Sequence, residues 1–319
     1  MLQLGDVQNL STSASVMLKV SILAAWAELQ IASTTQAYLI EVIKPYRWLL
    51  GPFWVGALRD YALLRTDPEM GAAPSAGMDL SSGMGRDVLL PYYEKAVPKL
   101  LHAVAIGLAN DDPFIVGAID GQTFTSAVEP KKETGMARPE PSTNFYIIYG
   151  LAFESLTRAI GSDRKMAVVA LRSMASLVQP KLSGTTVFDG AFFDELITLC
   201  YRIAMSEPAR VKAEMVEVVS ALATSRKDGD QAQLRRALAV IAFVLRETIP
   251  SRDTKSNLSS SDPAADRVAF LRAAFASYVK IVDIMDLGQR ADLCAVAIHL
   301  FAGKCYMCRT GCHTVPVPW

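Results

Sequence analysis

The chain has 319 residues, 51% hydrophobic and 20% charged, with 32 Lys and Arg against 32 Asp and Glu. That content suits a folded protein with a large core, and the length allows about two globular domains or one continuous solenoid. A neutral balance with no basic run removes the general electrostatic drive toward nucleic acid or an anionic membrane.

Strand signals are nearly absent, and long Ala, Leu, Val and Met stretches with spaced charges predict one helix after another. Residues 1–65 read as N-terminal helical repeats. A first helix covers 13–32, a second covers 36–43 and ends at Pro45, and a third covers 46–64. Residues 16–31 are the most apolar stretch near the start, but they carry Lys19 and Glu28 and fall short of a membrane span. No transmembrane segment is expected. Asp6 stands where a secretory leader needs positive charge, so the cytosol is the expected compartment. Tyr46, Trp48, Phe53, Trp54 and Tyr61 recur at helical spacing and read as packing between helices.

Residues 66–86, rich in Gly, Ala, Ser, Pro and Met, predict a flexible loop. Residues 87–126 form a helical segment that carries Tyr92, Tyr93 and His102. Residues 127–142 contain three prolines and mixed charge, and predict a linker. Residues 143–301 are expected to be HEAT-like repeats, interrupted by a serine-rich loop at 250–261.

Within those repeats the stripes are one-sided. They are Ala167, Leu171, Met174 and Val178, with Ser176 opposite; Phe192, Leu196, Leu199 and Ile203; Val211, Met215, Val218 and Leu222; and Leu271, Phe275, Tyr278 and Val282. Caps are expected from Ser162 or Asp163, from Ser206 before Pro208, and from Asp262 before Pro263. Helices 145–160 and 164–178 make one antiparallel pair, and 192–205 with 209–224 the next. Their turns lie roughly 45 residues apart, the period of HEAT or armadillo units. A third pair joins 231–248 to 263–285, and a fourth begins at 286. The expected fold is an all-α, HEAT/armadillo-like α-solenoid of stacked antiparallel pairs; an irregular helical bundle is the alternative.

Chemistry has few candidates. The histidines are His102, His299 and His313, and no recognisable motif sets an acid or nucleophile beside any of them. Phosphate loops, dinucleotide fingerprints and nucleophile elbows are missing, and no strand precedes the stretch Ser81, Ser82, Gly83 and Gly85. Cys200 and Cys294 sit among apolar residues and read as buried. Cys305, Cys308, Cys312 and His313 form the one sharp cluster, on a tail over 302–319 expected to be unstructured. Zinc is its alternative reading, weakened by the adjacency of Cys312 and His313 and by the lack of a second ligand pair. No catalytic, cofactor or metal residue is assigned.

Five segments carry a family resemblance: residues 21–30 (SILAAWAELQ), 43–46 (IKPY), 50–61 (LGPFWVGALRDY), 149–157 (YGLAFESLT) and 193–202 (FDELITLCYR). Together they resemble the HEAT repeat-containing protein 5 family, large accessory proteins of clathrin adaptors. The resemblance implies a non-enzymatic solenoid that docks the clathrin adaptor complex and its accessory proteins. It also implies a cytosolic protein, peripherally associated with Golgi, endosomes and clathrin-coated vesicles, that supports endosome-to-Golgi retrograde traffic. Family members are many times longer, so the chain reads as a fragment or truncated member, and the tail departs from the family. Two other readings stay open: a HEAT scaffold of nuclear transport or chromosome organisation, and a zinc protein using the terminal cluster.

Overall fold

The computed structural model describes residues 12–66, 84–127, 142–179, 190–225, 231–247, 263–291, 293–295 and 298. Two compact units divide the chain, Met1–Asp189 and Gly190–Trp319.

The first unit contains α1 (Thr12–Ser33), α2 (Tyr38–Ile43), a 3₁₀ turn (Lys44–Tyr46), α3 (Arg47–Thr66), α4 (Met84–Ala109), α5 (Pro113–Ile119), α6 (Thr143–Ala159) and α7 (Arg164–Leu177). On α1, Val16, Val20, Ala24 and Ala27 are buried at helical spacing, and α4 is that helix's main neighbour. Length and composition alone would let Ala14–Ser33 cross a membrane. Its contacts are those of a packed repeat helix: Trp54 Nε1 of α3 donates to the Leu23 carbonyl at 3.2 Å, and Lys99 of α4 pairs with Glu28 at 2.5 Å. At its end, Ser33, Thr34 and Thr35 donate their hydroxyls to the carbonyls of Gln30, Ile31 and Ala32, reinforcing a last turn in which Ile31 O and Ala32 O also accept backbone N–H groups.

Pro45 does not turn the chain out of the helix. It sits early in the 3₁₀ turn, where its missing N–H costs little, and helical backbone resumes at Arg47. The aromatic run divides: Trp54 and Tyr61 are buried, whereas Tyr46 and Phe53 are exposed.

α5 was not anticipated as a separate helix. Its start repeats the Asp-Pro signal, with Asp112 Oδ1 accepting from Phe114 N at 3.0 Å and Pro113 in the first turn. The end of α4 just before it is a Schellman motif: Asp112 N donates to Gly107 O and Asp111 N to Leu108 O. Asp111 takes the left-handed position at φ 53°, a conformation in which Asp is among the tolerated residues. Ile115 of α5 then drives between two glycines. A Cβ on Gly107 would lie 2.1 Å from its Cδ1, and one on Gly51 3.0 Å from its Cγ1.

Of the expected linker at 127–142, residues 128–141 lie outside the described residues. Beyond it, Ser142 donates its hydroxyl to Ile119 O and accepts from Phe145 N at 3.1 Å, and Asn144 Nδ2 donates to Ala118 O at 3.0 Å. The start of α6 is thereby fastened to the end of α5. Asp163 caps α7 by accepting from Lys165 N and Met166 N, while Ser162 bonds back to Arg158 O and closes α6. Ala167, Leu171, Met174 and Val178 are buried as expected. Ser176 is buried too, against expectation, because α7 packs on both α6 and α4.

Within this unit α3 and α4, like α6 and α7, are sequence neighbours that pack together. The wider order comes from α1 on α4, α4 on α7, and α3 on α6. Two layers result, α1–α4–α7 and α3–α6.

The second unit contains α8 (Gly190–Ser206), α9 (Ala209–Ser225), α10 (Gln231–Glu247) and α11 (Pro263–Ile281), followed by a 3₁₀ turn (Val282–Ile284). Here α8 packs on α10 and α9 on α11, again in two layers. Four expectations change. The expected partnership of 231–248 with 263–285 is not the main one, since α11 packs chiefly on α9. On α8 the stripe begins at buried Phe193, with Phe192 half-buried. On α11 the buried set is Phe270, Ala274, Ser277 and Ile281, one residue before the expected set, and Phe275 is exposed. Ser206 does not cap α9; its hydroxyl donates to Arg202 O and closes α8.

The stripe of α9 is buried throughout, with Val216, Val219 and Ala223 added, because α8, α10 and α11 all pack on it. The expected cap at Asp262 falls outside the described residues. The fourth helical element does start where expected, at a capping box: Gln289 N donates to Asp286 Oδ1 at 2.8 Å and Asp286 N to Gln289 Oε1 at 3.0 Å. Both units are all-α, with no strand among the described residues, and their two-layer stacking is that of a HEAT-like α-solenoid.

The glycines give a paired test. Gly107→Ala overpacks Ile115 and is expected to cost about 1–3 kcal/mol. Gly150→Ala, with nothing within 4 Å of its Cβ, is expected to stabilise by about 0.5–1 kcal/mol because it removes a helical glycine. Urea unfolding of the two variants checks both signs.

Candidate interaction surfaces

A solenoid offers surfaces more readily than clefts, so the exposed apolar side chains are the first features to place. On the first unit most of them lie at α2 and its flanks, and Val88 and Tyr92 of α4 are exposed as well. Tyr38 (68% exposed), Ile40, Val42 and Tyr46 lie open, with Phe53 of α3 also exposed. Only Ile43 of α2 is buried, so this short helix is apolar on faces that the unit does not cover. On the second unit, Val268, Phe275 and Val279 (69% exposed) of α11 stand open, and so do Leu287 and Ile298 beyond it. Sequence reasoning missed both patches. Of the first patch only Tyr46 and Phe53 were singled out, as packing between helices, and of the second only Phe275, placed in the buried stripe by the one-residue phase error.

One charged cluster joins three helices. Arg65 of α3 donates to both carboxylate oxygens of Glu154 on α6, through Nη2 to Oε1 at 2.8 Å and through Nη1 to Oε2. Arg158, one turn along α6, lies 2.5 Å from Glu154 Oε1. The Arg65 guanidinium rests over the Tyr61 ring at 5.4 Å, and Tyr61 stacks on Tyr93 of α4 with centroids 6.2 Å apart. The hydrogen bonds from Arg65 hold the Glu154 carboxyl below the usual carboxylate range. Burial pushes the Tyr61 and Tyr93 hydroxyls above the usual phenol range. No short-range signal announced this cluster, because Arg65 and Glu154 are 89 residues apart.

The residues singled out for chemistry scatter. His102 is half-buried on α4, and burial, with a smaller contribution from Arg172, lowers its basicity. Cys200 is fully buried, with its thiol pushed up to about 12 by desolvation, which makes it a poor nucleophile. Cys294 is exposed, contrary to expectation, and its sulfur lies 3.8 Å from the Tyr278 hydroxyl. The structure therefore separates the two cysteines read alike from sequence. His299, Cys305, Cys308, Cys312 and His313 lie outside the described residues, as do Ser81, Ser82 and Gly83. Among the described residues, no group of three or more His, Cys, Asp or Glu could hold a metal ion.

Comparison with known families finds a match for the N-terminal helices. Residues 1–63 match the family model described as the Laa1/Sip1/HEATR5 HEAT repeat region. Over these N-terminal residues the chain is similar to that family, which supports the HEAT repeat 5 resemblance there. Three of the resembling segments, at 21–30, 43–46 and 50–61, fall inside the match; those at 149–157 and 193–202 lie beyond it. No solved structure matches the chain. In this HEAT-repeat family frame, Trp54 on Leu23 and Trp26 against Tyr46, with centroids 5.2 Å apart, are the packing of the matched repeat. The open α2 patch belongs to the same stretch.

Two outcomes follow. Phe270→Ala is expected to cost about 3–5 kcal/mol, and Val279→Ala to stay within about 0.5 kcal/mol of the parent. Denaturant midpoints of the two read out the phase of α11 directly. The Glu154 contribution is present above the unfolded carboxylate pKa and is lost as pH falls through its lower folded value. Glu154→Gln should therefore flatten the acid limb of the stability–pH profile, measured by thermal unfolding from neutrality downward.

Proposed function

We propose that this HEAT-repeat scaffold acts without bond chemistry, by docking proteins in clathrin adaptor-linked traffic between endosomes and Golgi. The observation that carries the reading is the match of residues 1–63 to the Laa1/Sip1/HEATR5 HEAT repeat region. Stacked helix pairs supply its physical means: a rigid repeating frame presents side chains at regular spacing, and affinity comes from area and shape. The open aromatic and aliphatic side chains near α2 are of the kind that anchor protein interfaces. The compartment that follows is the cytosol, with membrane association through partners and no direct role for nucleic acid.

Affinity capture with the tagged full chain from cytosol tests this. Adaptor subunits and their accessory proteins are expected in the eluate at near-stoichiometric levels. A folded chain, verified by circular dichroism, that recovers neither would sink the traffic reading and leave the scaffold architecture standing.

A further inference from the structure

Apolar seams between stacked helices tolerate sliding. A shift of one helical turn, about 5.4 Å, still sets aliphatic against aliphatic. Charges at the seam do not repeat in that way. Between α3 and α6, Arg65 forks onto Glu154, and Arg158 stands one turn further along α6, reaching the same carboxylate at Oε1. A one-turn slip that advanced α6 would bring Arg158 to the place of Glu154, exchanging a bidentate attraction for repulsion between two guanidinium groups. Arg65 cannot follow freely, because its head lies over Tyr61, which is itself stacked on Tyr93.

We propose that Arg65, Glu154 and Arg158 form a register lock that fixes which turn of α6 stands against which turn of α3. The lock acts by discrimination more than by stability. Arg65 and Glu154 are each about one-third exposed, and ion pairs at such sites contribute little net energy. Their value lies in the difference they add between the native register and the slipped one, beside the Ser142 and Asn144 bonds that hold the start of α6 to α5. Other layer contacts carry a charged pair as well: Lys99 with Glu28 between α4 and α1, Arg236 with Asp194 between α10 and α8, and Lys280 with Glu217 between α11 and α9. Each joins helices of one layer rather than sequence neighbours. The α3–α6 pair is distinguished by a like charge waiting one turn away.

The test turns on Arg158, whose side chain is 68% exposed, so that its variants are expected to fold. Arg158→Glu keeps the native pair but makes the slipped register attractive to Arg65. Arg158→Gln removes the repulsion without adding an attraction. Hydrogen exchange on the full chain at low salt is expected to show α3 and α6 amides exchanging about fivefold faster with Glu at 158 than with Gln, the size of a single exposed charge pair. That difference should vanish in an Arg65→Gln background and shrink in ~0.5 M salt, where the Debye length is a few ångströms. Equal exchange in the two Arg158 variants would overturn the lock. An equal difference with and without Arg65 would also overturn it, since the effect would then be repulsion within α6 alone.

Discussion

A helix of this protein cannot bury its apolar surface on its hairpin partner alone, and that constraint organises everything else. α4 shows it most clearly. Leu89, Tyr93, Val97, Leu100, Leu101, Val104 and Leu108 are buried along one face, Ala96, Ala103 and Ala105 extend the buried surface to either side of it, and α1, α3 and α7 all pack on that helix. At about 25 cal/mol per Å² of apolar area, the third and fourth neighbours matter as much as the first. α9 is in the same position in the second unit, covered by α8, α10 and α11. Helices that meet fewer neighbours, α2 and α11, keep apolar side chains in solvent. The number of neighbours a helix has within its unit thus sets much of what it exposes, although α4 still leaves Val88 and Tyr92 open near its start.

Stacking of this kind leaves helix ends as the costly points, because each end carries unpaired backbone groups. The chain meets this locally and repeatedly with short polar side chains. Hydroxyls of Ser33, Thr34, Thr35, Ser162 and Ser206 close preceding helices, and carboxylates of Asp112, Asp163 and Asp286 open following ones. The segment after α5 is the most economical case. Ser142 caps α6 and in the same place satisfies a terminal carbonyl of α5, which joins the two helix ends directly.

What was legible in the sequence follows from which forces are local. Helix existence and most stripes were readable, since Ala167, Leu171, Met174 and Val178, or Val211, Met215, Val218 and Leu222, depend on a period of 3.6 residues within one segment. Serine roles were read less well. Ser206 and Ser162 can bond forward or backward with similar geometry, and only the backbone path decides between them. α5 escaped notice although Asp112 and Pro113 repeat the signal recognised at Asp262 and Pro263, because seven residues are too few for periodicity to register. Exposure at α2 and the Arg65–Glu154 contact depend on distant neighbours, and no window along the chain contains them.

The phase error on α11 shows why a stripe does not name its own partner. Phe270, Ala274, Ser277 and Ile281 are buried, while Leu271, Phe275, Tyr278 and Val282 have the larger apolar volume and lie about 100° round the helix. Hydrophobicity alone favours the second set. The first set faces α9, on which α11 chiefly packs: Ala274 and Ser277 are small, Ser277 donates to Glu217 at 3.1 Å, and Lys280 pairs with the same carboxylate at 2.7 Å. A polar clamp and two small residues thus outweigh a bulkier face in choosing the seam. Of the bulkier set, Phe275 is left exposed and Leu271, Tyr278 and Val282 half-buried.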